Sequence, residues 1–186
     1  MKKNKFRIYL NAPITLGFVA ACLAVLLLDQ LTSGDSTYAL FSTYGSSWLN
    51  LMTYVRLIGH VLGHADMDHL ISNMMYILLL GPMLEEKYGK KLLIVIIVTA
   101  IVTGVVHNII QPRVILLGAS GVVFAFILLT SVTGNQDGIP ITLIIVALLW
   151  LGNEILDGMS ADNISQITHI IGGASGALMG MIYKDK

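Results

Sequence analysis

The sequence predicts an all-α fold: a polytopic membrane protein, a bundle of six transmembrane helices forming one domain over residues 1–186. Three observations predict it. Of 186 residues, 55% are hydrophobic and 12% charged, about half the roughly 25% charged share of a soluble domain. Mean hydropathy is +0.79. The apolar residues come in blocks rather than amphipathic stripes. Together these exclude disorder, a coiled coil and an ordinary cytosolic enzyme. A spanning helix needs roughly 20 residues, so the length accommodates six spans with short loops. Eleven basic and eleven acidic residues cancel, leaving no basic footprint for nucleic acid. The single cysteine, Cys22, cannot form an internal disulfide and sits in an apolar block as a packing residue.

The first span is expected at about 12–30, after a basic start of Lys2, Lys3, Lys5 and Arg7. A signal peptide begins similarly, but the apolar core is long and no A-x-A cleavage site follows. A polar stretch from Asp29 to Asn50 leads into an amphipathic segment reaching His69, with Tyr44, Trp48 and Tyr54 suited to a membrane interface. Span two is expected at 69–84, ended by a charged turn from Glu85 to Lys91, and span three at 92–110, ended by Gln111-Pro112-Arg113. Span four is expected at about 115–133, closed by the turn residues Gly134 to Gly138. Span five follows at 139–152 and span six at 164–183, with a polar loop between them. With both termini cytoplasmic, nine Lys/Arg fall inside and only Arg56 and Arg113 outside, a positive-inside pattern. No internal repeat is evident, which weakens an inverted-repeat transporter reading.

Polar groups at bilayer depth are costly and are therefore functional candidates. His69 and Asn73, at i and i+4, share one helix face, where two hydrogen-bond donors could serve an oxyanion. Their bland reading is a pair of polar ties to neighbouring spans. His60 and His64 are also four apart, but without an H-E-x-x-H helix no metal is expected. Gly118-Ala119-Ser120-Gly121 sets a serine between glycines at a helix start, where backbone can approach closely and N–H groups can meet an anion. The same four letters recur at Gly173–Gly176, so the tetrapeptide alone means little, and a small-residue helix contact explains it equally. His169 is a candidate general base. Gly172, Gly176 and Gly180 follow it as a smooth face that lets another helix come close. Ser175 is six residues after His169, roughly 9 Å along the axis and about 240° around it, so Ser120 on another span is the better partner. Glu85, with Gly81 and Gly89, reads as a structural, capping carboxylate.

These sets, taken in order, resemble the rhomboid family of intramembrane serine proteases, and the likeness to its bacterial six-span core covers nearly the whole chain. The residues that carry it are Arg56 of the first outer loop, His64, His69 and Asn73 as H-x4-H-x3-N, and Gly81, Glu85 and Gly89 as G-x3-E-x3-G. Gly118 to Gly121 match G-x-S-G, and His169, Gly172 and Gly176 match H-x2-G-x3-G. The resemblance implies a Ser120–His169 dyad with Ser120 as nucleophile. It implies His69, Asn73 and the Ser120 backbone N–H as oxyanion donors, and His64 as a structural residue of the outer loop. Phe124 stands where many relatives carry a tyrosine against the base histidine, Val55 where they carry a tryptophan, and Thr168 where alanine is common. The expected partners are a transmembrane-helix substrate and the lipid bilayer, with no cofactor and no metal. The active site is expected to open to the outer face, with span five, Trp150 and the loop from Gly152 to Asn163 as gate and cap. The alternatives are an inactive relative that binds transmembrane helices and a small transporter or metal-binding membrane protein.

Overall fold

The computed structural model describes residues 9–134 and 165–183 and, between them, residues 141, 144, 145, 148, 149 and 152. The side chains of residues 132–134, 165–169, 177, 180 and 181 lie outside that description. The chain is all-helical. Its helices are α1 (Pro13–Leu31), α2 (Asp35–Leu40), α3 (Leu51–Gly59), α4 (Met67–Tyr88), α5 (Lys91–Ile110), α6 (Ser120–Gly134) and α7 (Ser165–Tyr183). Among the described residues, β structure is limited to one antiparallel bridge, Thr43 with Leu116. Two described helices, α1 and α5, are long and apolar enough to cross a membrane, and the apolar part of α6 is shorter.

Each boundary has a local cause. Pro13 opens α1, where its missing N–H costs nothing and its fixed φ suits a helix. Asp66 caps α4 by accepting the His69 N–H at 2.7 Å. The helix α4 does not stop at Leu84, as the sequence suggested, but runs on to Tyr88. Glu85, Glu86 and Lys87 are good helix formers, and the turn is made only at Gly89, whose φ is +55°. Two short helices, α2 and α3, occupy the stretch that the sequence left as polar and mixed. Asn50 caps α3 through the Met52 N–H. The helix α6 starts at Ser120 itself, later than the span expected from about 115.

The core lies where α1, α4, α5 and α6 meet, with Cys22, Ile77, Leu92, Val95, Val122 and Phe126 fully buried. In lipid there is no water to drive apolar faces together, so close van der Waals fit must hold helices in contact. The α6–α7 contact shows how. A Cβ on Gly172 would stand 2.8 Å from the Gly121 carbonyl oxygen, and one on Gly176 would stand 2.5 Å from the Ala125 Cβ. The pairs Gly121/Gly172 and Ala125/Gly176 advance together along the chain, so α6 and α7 run parallel.

At the opposite end from Ser120, α4 fastens α1. Glu85 is buried and accepts the Ile14 N–H at 2.8 Å, the Thr15 N–H at 2.9 Å and the Thr15 hydroxyl at 2.8 Å. Ala12 at the N-cap offers no side-chain oxygen. The carboxylate of a neighbouring helix therefore satisfies the first-turn donors and faces the positive end of the α1 dipole. Gly81 lets this contact close, because a Cβ there would sit 2.5 Å from Thr15 Cγ2.

Candidate active site

Ser120 is the first residue of α6, and the chain reaches it through the irregular segment 111–119. Main-chain bonds hold that segment. Leu116 and Thr43 exchange N–H···O bonds of 2.8 and 2.9 Å, Gly45 N–H donates to Pro112 O at 2.9 Å, and Gly118 N–H donates to His60 O at 2.9 Å. His107 adds a ring bond to Val114 O at 3.0 Å, and the Asn108 amide donates to the Thr43 hydroxyl at 2.9 Å. Irregular backbone in a membrane bundle survives only when its polar groups are met in this way. Gly118 has φ +121°, a conformation that side-chain-bearing residues rarely adopt. Its turn puts the Ser120 N–H in the first helical turn, whose donors serve groups outside the helix.

His69 stands across from this turn. A Cβ on Gly118 would lie 2.8 Å from both Cε1 and Nε2 of His69, and 3.9 Å from the Ser120 hydroxyl oxygen. The His69 ring edge and the Ser120 hydroxyl therefore border the same space, with only a glycine between them. Asn73 is buried one turn further along α4, and one amide hydrogen goes to the His69 carbonyl oxygen at 2.9 Å. The other has no partner among the described residues. His64 packs edge-on against His69 at 5.0 Å between ring centroids. Its Nδ1 faces Leu62 O at 3.1 Å. Its Nε2 is buried without a partner among the described residues.

The backbone of His169 lies on α7, one turn before Gly172; its side chain is outside the described residues. With α6 and α7 parallel and Gly172 seated on Gly121, that turn of α7 is level with the turn leading into Ser120. Phe124, one turn along α6, lays its ring against Gly173 of α7, where any Cβ would overlap it. Ser175, with the same G-A-S-G flanks, faces away from Ser120: it bonds Gly172 O at 2.7 Å and lies 3.3 Å from the Thr99 hydroxyl of α5. Of the expected gate and cap, Trp150 and residues 153–163 lie outside the described residues. Ile141, Ile144, Ile145, Leu148 and Leu149 are helical and exposed.

Arg56 is buried against residues 44–46 rather than beside Ser120. It donates to the Tyr44 hydroxyl and the Ser46 hydroxyl, both at 3.1 Å, and lies 4.6 Å above the Tyr44 ring. Tyr44 stacks in turn on Tyr38 at 5.1 Å. Val55 points outward, so the anchoring here rests on Arg56 and the tyrosines.

Several residues that shape the site carried no signal when read singly. Thr103 of α5 touches Gly121 and Gly172 with its methyl and sits 3.4 Å from His60 Nε2. His107, Asn108 and Thr43 hold the segment before Ser120. The available hint was a polar His-Asn pair at the end of an apolar span, four residues before Pro112. His60, Val61, Thr103, Leu116, Gly118, Ser120 and Gly121 enclose a cavity of about 10 Å³ behind the serine, at the lower limit for one water. Burial depresses the His60 and His64 imidazoles, each to about 4, so both are neutral at physiological pH. No group of three or more metal-ligating side chains occurs among the described residues.

The architecture is that of an all-helical bundle with apolar, membrane-length helices and a serine presented at a helix start. The rhomboid domain model matches residues 51–186, and the chain belongs to the rhomboid family. It is 28% identical over 175 residues to the rhomboid protease GlpG of Serratia proteamaculans, covering 90% of this chain and 61% of that protein. It is 29% identical over 171 residues to rhomboid protease GlpG of Pectobacterium atrosepticum, covering 87% and 60%. Against the protein of that name from Yersinia pseudotuberculosis it is 28% identical over 169 residues, again 87% and 60%. The chain thus spans about three fifths of the length of the curated relatives it matches.

Proposed function

We propose that this chain is an intramembrane serine protease that hydrolyses a peptide bond in or near the transmembrane segment of membrane-protein substrates. The observation that carries the reading is the turn at Gly118, which brings the Ser120 hydroxyl and the His69 ring to one space at the start of α6. Ser120 attacks the scissile carbonyl and His169 accepts its proton. The developing oxyanion is met by His69, the second Asn73 amide hydrogen and the Ser120 N–H. His169 then returns the proton to the leaving amine, and water repeats the sequence on the acyl-enzyme. Glycines at 118, 121, 172 and 176 permit the close approaches this needs.

The bundle has six spans in this reading. Parallel α6 and α7 support it, since two consecutive parallel helices need a return between them, and α6 is about 22 Å high for its fifteen residues. Both termini are cytoplasmic, and the serine opens to the outer face, since nine of eleven Lys/Arg then lie inside.

The test is labelling of the detergent-solubilised protein with a fluorophosphonate probe. Wild type and Ser175→Ala are expected to label, whereas Ser120→Ala and His169→Ala are not. Absence of label on folded wild type would favour a catalytically inactive binder of transmembrane helices. Label surviving Ser120→Ala would move the nucleophile elsewhere.

A further inference from the structure

Hydrogen-bond partners fix which nitrogen of a neutral imidazole carries the proton, because a carbonyl oxygen can only accept and a backbone N–H can only donate. His60 and His64 each set Nδ1 3.1 Å from a carbonyl oxygen, and His107 sets Nε2 3.0 Å from one. In each ring the nitrogen facing the carbonyl holds the hydrogen. His69 is bonded in the opposite sense: the Ala65 backbone N–H donates to its Nδ1 at 3.4 Å. Nδ1 must then be bare, and the neutral ring carries its hydrogen on Nε2. That nitrogen borders the space shared with the Ser120 hydroxyl.

We infer that the Ala65 backbone N–H is a positioning group that holds His69 in the Nε2–H tautomer and aims that hydrogen at the space beside Ser120. The inference rests on the proposed oxyanion role of His69 and specifies how the role is set. With the other tautomer His69 would present a lone pair to a developing negative charge, and the donor would be lost. The neighbours act together. Asp66 receives the His69 main-chain N–H and fixes the start of α4, and the edge-on His64 ring limits rotation of the imidazole. Among the described residues, the bond from Ala65 is the contact that distinguishes the two nitrogens.

The experiment is a long-range proton–nitrogen correlation on the full-length protein in detergent, ring-labelled at its five histidines, at a pH above the imidazole range. A bare Nδ1 and a protonated Nε2 at His69 are expected in wild type; a protonated Nδ1 overturns the inference without recourse to any variant. Ala65→Pro removes the N–H and is expected to mix the two tautomers, while Ala65→Gly retains the N–H and the wild-type pattern. An unchanged pattern in folded Ala65→Pro also overturns it. On a cleavable substrate, kcat of Ala65→Pro should fall between about twofold and tenfold below Ala65→Gly, the worth of one ordinary hydrogen bond, with KM unchanged. If folded wild type takes no serine probe, the protease reading fails, whereas the tautomer result still decides the role of Ala65.

Discussion

His60 and His64 are built to remain neutral. Each imidazole is buried, each gives its Nδ1 hydrogen to a carbonyl, and burial lowers each from the usual 6.5 to about 4. A lowered histidine binds fewer protons folded than unfolded, so stability is full above about 6.5 and drains as pH falls towards about 4. Across that window each ring forfeits up to about 3 kcal/mol. Thermal unfolding in detergent should therefore show a midpoint that climbs from pH 4 to 6.5 and then levels; a flat profile between 5 and 6.5 would contradict it. Gly118 makes a second residue-scale prediction. Gly118→Ala imposes a strained φ, costing about 1–3 kcal/mol, and drives a methyl into the His69 ring. Serine labelling should drop by about a hundredfold or more, the scale of a lost oxyanion donor, in protein whose helix content is unchanged. The sequence offered the glycine and the serine, and the glycine read there as room for close approach of backbone. It had no means of revealing that the nearest neighbour is His69, because that contact joins positions 49 residues apart.

At the scale of elements, two contacts govern how the helices sit. The α1 start depends on Glu85, which satisfies two N–H groups and a hydroxyl. Glu85→Ala should destabilise by about 2–4 kcal/mol, as expected when buried donors lose a charged acceptor, and Glu85→Gln by less, since one carbonyl oxygen remains. Chemical denaturation in mixed micelles would rank the three. The α6–α7 contact depends on small residues. Gly176→Leu must push α7 off Ala125; it should abolish serine labelling while leaving Glu85 and α1 undisturbed, as limited proteolysis of the two ends would report. Glycine spacing made the small-residue face legible in the sequence. The continuation of α4 to Tyr88 was not, because a charged run looks like a turn unless the geometry of Gly89 is known. Helices α2 and α3 were hidden for another reason: they are short, and their polar caps resemble loop.

For the whole molecule, apolar blocks made the all-helical membrane class legible, since a bilayer allows few other forms to a chain of this composition, and the positive-inside count supports the proposed orientation. Topology follows as a prediction. In a Cys22→Ser background, a cysteine at Ser47 should react with an impermeant maleimide added to intact cells, and one at Asp185 only after lysis. The reverse pattern would invert the orientation. What the sequence could not convey is the long-range tie between residues 43–60 and the turn into α6, because Thr43 meets Leu116, Gly45 meets Pro112 and His60 meets Gly118 through main-chain atoms.

That tie bears on how the protein can vary. Recognition by N–H and C=O is blind to side-chain identity, so the stretch that sets the serine can drift in sequence while its path is kept. There are two exceptions: proline, which alone deletes a donor, and any side chain at Gly118, whose φ is +121° and whose Cβ would meet His69. A saturation library at Leu116 should tolerate most aliphatic replacements and reject proline. The signature of this site in a mutational map would then be a pattern of forbidden prolines beside the few chemically indispensable side chains.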